Sequence, residues 1–250
     1  MQFFIDLHTH TLASYHAYST VGECIHYAKD NGIKMFATTD HGPSLPDAPH
    51  SWHFNNLRVI PRVCEGVAVL RGIEANIDEK GGIDATPHQL ENVLDIVLAG
   101  LHPCNQPSNK DAHTKMYLNA IKSGCVDIIT HPGCAAYPFD YEQVLVEAKK
   151  QGVAIEINSS SDVNTRHGSH DNCIEIAKLA KKIGNIISVG SDAHVCYYMC
   201  KFAPALEILK AADIKEDQII NSSCNKVLDF LEHTRVHAPI PELRDYFKNE

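Results

Sequence analysis

Phe3-Phe4-Ile5-Asp6-Leu7-His8-Thr9-His10-Thr11 carries an apolar, strand-forming stretch directly into two histidines. Side chains alternate across a strand, so Asp6, His8 and His10 are expected on one face. Two imidazoles one strand step apart can chelate a single metal ion. They fall at the C-terminal end of the strand, where β/α barrels place their chemistry.

The same pattern recurs down the chain. Met35–Thr39 ends in Asp40-His41, Val67–Ile73 in Glu74, and Ile96–Leu101 in His102. Val126–Thr130 ends in His131, Val153–Asn158 runs into three serines, and Ile186–Ser191 ends in Asp192-Ala193-His194. Most of these runs are continuously apolar, as in a parallel sheet buried on both faces. Helices are expected between them. Thr20 with Glu23 fits a capping box, and Asp140 with Gln143 fits another. Asp171 is expected to cap a helix ending at Gly184, and Gly32 and Gly152 to close two others. Shorter helices are expected around 56–63, from about Asp111 to Gly124, over 202–212 and over 223–233, with 78–87 a loop or small hairpin. Seven strand–helix alternations with converging strand ends predict an α/β fold, a distorted seven-stranded (β/α)7 TIM-like barrel. An open doubly wound sheet would not bring so many strand ends together. A single domain over 1–250 is expected, with about 235–250 a polar C-terminal tail.

Bulk composition narrows the function. The net charge is −9, and the only Lys/Arg pairs, Lys149-Lys150 and Lys181-Lys182, read as solvated helix ends. A long nucleic-acid partner is therefore not expected. The N-terminus lacks the basic and apolar regions of a signal peptide, and no run is long enough to span a bilayer, so the expectation is a cytoplasmic protein without membrane attachment. Nine cysteines without a Cys-x-x-Cys pair read as reduced thiols.

Sixteen histidines against one Trp is the compositional anomaly. Any one of them could cap a helix or fill a turn. Their joint placement at strand ends is what points to a site: His8, His10, His41, Glu74, His102, His131, Asp192 and His194, with His16 just past the first strand. Nine ligands exceed the three protein ligands and a water typical of one catalytic zinc. Two or three ions are implied, with Glu74 as the bridging carboxylate. Imidazole-rich, thiolate-free ligation suits zinc, manganese or iron. Arg166, in the loop after the sixth apolar strand, could clamp a phosphate bidentately. Asp6 and Asp40 could orient ligand imidazoles, and Glu156 and Asn158 face inward. His50, His53, His88, His113, His167, His170, His233 and His237 read as surface or loop residues, and Trp52 and Phe54 as packing for their loop.

His8-Thr9-His10-Thr11, Thr39-Asp40-His41-Gly42, Gly72-Ile73-Glu74, Gly100-Leu101-His102, Thr130-His131-Pro132-Gly133 and Gly190-Ser191-Asp192-Ala193-His194 resemble the motifs of the polymerase-and-histidinol-phosphatase (PHP) superfamily, in order over nearly the whole chain. The stretches 13–20, 47–54 and 70–76 resemble the YcdX-type phosphatases of that superfamily, which carry three zinc ions. The resemblance implies that His8, His10, Glu74 and Asp192 hold one ion. It gives His16, His41 and His194 a second, and Glu74 with His102 and His131 a third. It implies a metal-dependent phosphoesterase that hydrolyses a small phosphomonoester through a hydroxide bridging two ions, with Glu74 and Asp192 as catalytic residues, to which the loop position adds Arg166. It also implies a homo-oligomer, a trimer. The rival readings are an amidohydrolase-type enzyme, a nuclease acting on short oligonucleotides, and a non-catalytic metal-binding module.

Overall fold

A computed structural model describes residues 1–163, 166–234 and 240–250. In chain order the strands are β1 (Ile5–Thr9), β2 (Met35–Thr38), β3 (Val63–Cys64), β4 (Val67–Asn76), β5 (Ile96–Gly100), β6 (Ile128–Ile129), β7 (Ala154–Asn158) and β8 (Ile187–Gly190). The helices are α1 (Val21–Asp30), α2 (Ser51–Asn56), α3 (Pro87–Asn92), α4 (Lys110–Lys122), α5 (Tyr141–Gln151), α6 (His170–Ile183), α7 (Ala203–Ala211), α8 (Cys224–Thr234) and α9 (Pro241–Tyr246). Seven strands pair in parallel in the order β1-β2-β4-β5-β6-β7-β8, and the two-residue β3 pairs antiparallel with β4. This is the expected seven-stranded β/α barrel.

The barrel closes through a seam rather than a full ladder. Between β8 and β1 the backbone contributes His10 N–H to Ala193 O and Asp192 N–H to His8 O, each at 2.9 Å. Side chains fill the rest. Asn221 accepts from Val189 N–H at 2.8 Å and donates to Val189 O at 2.9 Å and to Ile5 O at 3.0 Å. Asp6 accepts from Ser191 N–H at 3.2 Å and Cys200 N–H at 2.7 Å. These bonds give buried backbone groups at the seam partners without a continuous ladder.

Both faces of the seven parallel strands are buried almost throughout, while β3 is half-buried. Phe36 and Val69 point outward against Cys24, Ile25 and Ala28 of α1. Met35, Ala37, Leu70, Leu98, Ile128 and Ala154 share the inward face with Glu74 and Glu156, as the register pairs Glu74↔Leu98 and Ile128↔Ala154 require. Below the site this interior is apolar, and Leu228 and Leu231 of α8 with Leu243 and Phe247 pack against it. Of the tail expected over about 235–250, residues 235–239 lie outside the described residues, and Pro241–Tyr246 form α9, which corks the barrel base. Ile240, Leu243 and Phe247 supply the apolar face that a tail would lack.

Helix ends follow their local capping signals at some positions and depart from them at others. The Thr20–Glu23 capping box forms in full, Asp140 caps α5, and Gly152 and Gly184 close α5 and α6 in the left-handed conformation. The cap position of α6 is Ser169, which puts Asp171 in the first turn, where its charge still favours the helix N-terminus. The helix expected at 56–63 begins instead at Ser51, because His50 accepts from Trp52 N–H, and gives way to the β3–β4 hairpin. α3 was not anticipated, although Thr86 and Gln89 form a complete capping box around Pro87. Among the described residues no helix is long and apolar enough to cross a membrane, and all nine cysteines are free thiols.

Candidate metal centre

Strand geometry delivers the donors. The register of β1 on β2 shifts between Asp6 and Thr9, a bulge that breaks simple alternation. His8 thereby enters the barrel mouth with Ile5 and Leu7 below it, and Asp6 is left at the seam. His8 Nε2 and His10 Nε2 lie 3.2 Å apart. Glu74 projects from β4 between them: its Oε1 is 3.2 Å from His8 Nε2 and its Oε2 is 3.5 Å from His10 Nε2. Asp192 Oδ1 lies 3.2 Å from His10 Nε2 and 3.6 Å from His8 Nε2. On the other side, Glu74 Oε1 is 2.7 Å from His131 Nε2 and 3.1 Å from His102 Nε2, and those two nitrogens are 3.3 Å apart. The rings of His16, His41 and His194 form a third group, with His16 stacked 5.0 Å from His41 and 4.7 Å from His194. His10 bridges toward it, stacked at 4.3 Å on both His41 and His194.

These residues fit metal ions. With metal–nitrogen bonds of about 2.0–2.1 Å, tetrahedral donors stand about 3.3 Å apart, which is the spacing seen here. Donor atoms of His8, His10 and Glu74, of His41, Glu74 and His102, and of His10, His41 and His194 lie within 4.8 Å of one another. Buried Glu74 Oε2, His41 Nδ1 and His102 Nδ1 make no hydrogen bond, although the Glu74 and His41 atoms are only 2.8 Å apart. Such orphaned groups cost free energy unless a ligand satisfies them. Three buried carboxylates, Glu74, Glu156 and Asp192, face one guanidinium, Arg166, so carboxylates outnumber the fixed cation at the mouth.

Electrostatics favour the metal-ready form of His10, His131, His194, Glu74 and Asp192, whereas at His8 burial is outweighed by the Glu156, Glu74 and Asp192 carboxylates, which hold its imidazole well above the usual range. Burial, helped by His194 and His41, holds His10 well below the usual imidazole range. Burial and the Arg166 charge bring His131 down to about 4, and burial lowers His194. Glu74 and Asp192 stay ionised. Burial alone would raise them, but the histidines around Glu74 and the Arg166 guanidinium beside Asp192 hold both well below the usual carboxylate range.

Two of the donors sit on strained backbone. His131 (φ 30°) and Asp192 (φ 57°) occupy the left-handed region that non-glycine residues seldom adopt. Glu156 pins the first: its Oε2 accepts from His131 N–H at 2.8 Å and from Thr130 Oγ–H at 2.7 Å, and its Oε1 accepts from His8 Nδ1–H at 2.7 Å. Glu156 is thus the residue that orients a candidate ligand. Asp6 does not have that role, since its partners are backbone N–H groups, and burial pushes its carboxyl up to about 6. Asp40 acts at one remove. It accepts from Ser14 Oγ–H at 2.8 Å, and Ser14 Oγ lies 3.5 Å from His10 Nδ1. Glu156 faces inward as its place near the end of the sixth apolar strand predicts, but it bonds His8 as well as backbone, and the role of Ser14 has no strand-end signal. An ionisable residue inside Val153-Ala154-Ile155-Glu156-Ile157 was the available signal for Glu156.

Arg166 reaches the site, bonded through Nη2 to Asp192 Oδ2, while its neighbours Asn164 and Thr165 lie outside the described residues. His16 Nδ1 is 2.5 Å from Asp47 Oδ2 at the mouth. Of the remaining histidines, His113 is buried in α4, 2.9 Å from Pro138 O, rather than at the surface. His53 lies 3.1 Å from Asp40, and His237 falls outside the described residues. Phe54 packs its loop as expected, whereas Trp52 is 76% exposed, on the solvent side of a two-turn helix.

A family model described as the PHP domain matches residues 6–247. A protein of Shewanella sp. (strain ANA-3), named a probable phosphatase, is 51% identical over 252 residues, covering 100% of this chain and 99% of that protein. One from Shewanella oneidensis, also named a probable phosphatase, is 50% identical with the same coverage. The crystal structure of histidinol phosphate phosphatase from Lactococcus lactis subsp. lactis, complexed with zinc, L-histidinol and phosphate, matches at a TM-score of 0.60 and 17% identity, covering 84% of this chain and 94% of that one. At that identity the structural likeness speaks for the fold alone. The family model spans nearly the whole length and the relatives match end to end at half identity: this chain belongs to the PHP domain family.

Proposed function

We propose that the protein is a metal-dependent phosphatase that hydrolyses a small phosphomonoester to the alcohol and inorganic phosphate, at a centre built for three divalent ions, zinc above all. One observation carries the reading. Arg166, the only Lys or Arg among the described residues lining the cavity over the donors, is bonded to Asp192 at the edge of the cluster. A guanidinium there can grip non-bridging phosphate oxygens and counter the charge that spreads over them. The relatives named as probable phosphatases support the same activity.

His8, His10, Glu74 and Asp192 would hold one ion, His16, His41 and His194 a second, and His102 and His131 a third that shares Glu74. When bound, such ions supply an activated water near neutral pH and neutralise phosphate charge. The chain does the rest. Neutral imidazoles keep their lone pairs for ligation, Glu74 keeps the donor groups at fixed separation, and Arg166 orients the ester phosphorus toward them. The leaving oxygen then faces the mouth and takes its proton from solvent. No lysine is among the described residues lining the cavity, so the modified-lysine bridge of an amidohydrolase-type centre has no counterpart there.

Zinc content per chain and turnover of p-nitrophenyl phosphate, each before and after a chelator, test the reading together. About three ions with chelator-sensitive turnover are expected. Full turnover by metal-free protein, or three ions without turnover, would overturn it.

A further inference from the structure

The cavity above the donors is about 760 Å³, far more than a phosphate requires. Its outer wall is apolar: Leu45, Pro46, Pro103, Ala136 and Val163 line it. Tyr18 and Asp47 stand at the rim of this space, and the two polar side chains set deeper in its wall, Tyr137 and Ser160, are already engaged. Tyr137 donates its hydroxyl to His102 O at 2.7 Å, with Asn105 O at 3.3 Å, so it presents ring and not hydroxyl to the cavity. Ser160 donates its hydroxyl to Ser191 O at 3.0 Å. A polyhydroxylated body laid along the apolar wall would lose water without gaining partners there, which is costly, whereas an apolar body gains from burial. Charge acts in the same direction. Arg166 is the single cation of the described lining, and Asp47 sets a carboxylate at the rim. A second phosphate on the substrate would find repulsion there instead of a clamp.

We infer that the substrate carries one phosphoryl group on an apolar, ring-sized body, and that sugar phosphates, polyol phosphates and nucleoside polyphosphates are discriminated against by the wall formed by Leu45, Pro46, Pro103, Ala136, Tyr137 and Val163. The inference rests on the phosphatase reading for the position of the phosphoryl group. It adds the chemistry of everything beyond it.

Binding of non-hydrolysable phosphonates to the metal-loaded protein, followed by calorimetry, tests this without turnover. 2-Phenylethylphosphonate is expected to bind at least about tenfold more tightly than 2,3-dihydroxypropylphosphonate or 1,5-pentanebisphosphonate, the difference expected from burying one ring. Val163→Asn and Ala136→Ser place polar groups on exposed parts of the wall and are expected to narrow that ratio several-fold. Equal or tighter binding of the dihydroxypropyl or bisphosphonate ligand, no binding by any of the three, or a ratio untouched by both substitutions would overturn the inference. Chelator-sensitive hydrolysis of p-nitrophenyl phosphate in the same preparation would leave the phosphatase reading standing, so the two failures are separable.

Discussion

Glu156 Oε1 and His8 Nδ1 lie 2.7 Å apart at the centre of the barrel mouth, both fully buried. The carboxylate accepts from His8 Nδ1–H and so turns Nε2 toward Glu74 and His10. The same carboxylate holds the strained backbone of His131. Gly190 makes room for it, since a Cβ at that position would collide with Glu156 Oε1. We expect Glu156→Gln to keep the fold and to lower zinc affinity roughly 10–100-fold, as read by competition with a chromogenic chelator. Unchanged affinity would show that His8 needs no such support.

Glu74 is the hub of the donor set, in reach of five imidazoles: His8, His10, His41, His102 and His131. Glu74→Ala is expected to release more than one ion per chain and to lower kcat/KM by about three orders of magnitude, in the range expected for loss of a group that organises transition-state charge. Elemental analysis of the purified variant beside its kinetics checks both, and a variant with the full metal complement and full rate would remove Glu74 from the bridging position.

Asn221 replaces the missing ladder between β8 and β1 with three hydrogen bonds while 1% exposed. Asn221→Leu strands Val189 N–H and two carbonyls in the interior. An unsatisfied buried group costs about 1–3 kcal/mol, so a loss of roughly 3 kcal/mol in urea unfolding is expected. A change below about 1 kcal/mol would mean that the seam closes without it.

Burial pushes the Cys24 thiol up to about 12 and the Cys173 thiol up to about 11. At pH 8 the reactive thiolate is then only about one part in ten thousand at Cys24 and about one in a thousand at Cys173. Neither should take up iodoacetamide in the folded protein within an hour, and both should in denaturant. Peptide mass spectrometry reads the outcome, and native labelling of Cys24 would contradict its burial.

What could be read from the chain alone follows the range of each physical signal. A continuously apolar run ended by His, Asp or Glu is local, and the barrel with its strand-end side chains gathered at one mouth follows from repeating it, whereas His16 ends no strand. Arg166 was reachable because a loop after a parallel strand opens on the mouth. Asp6 was misjudged because the β1 bulge, set by pairing with β2, breaks the alternation that a lone strand obeys. The burial of His113 and the docking of α9 depend on partners distant in sequence, Pro138 and the barrel base, and no local pattern announces them.

The cork at the base has a bearing on how the molecule comes into being. Leu243 and Phe247 seal apolar side chains contributed by Ile5, Met35, Ala68 and Ile96, and Tyr246 Oη–H reaches Gly66 O at 2.9 Å. During synthesis those early strands leave the ribosome some two hundred residues ahead of their cover, at about 5–20 residues per second. The nascent barrel therefore spends on the order of ten seconds or more with its floor open to water. That interval, rather than any weakness of the finished fold, is when the chain most needs a chaperone.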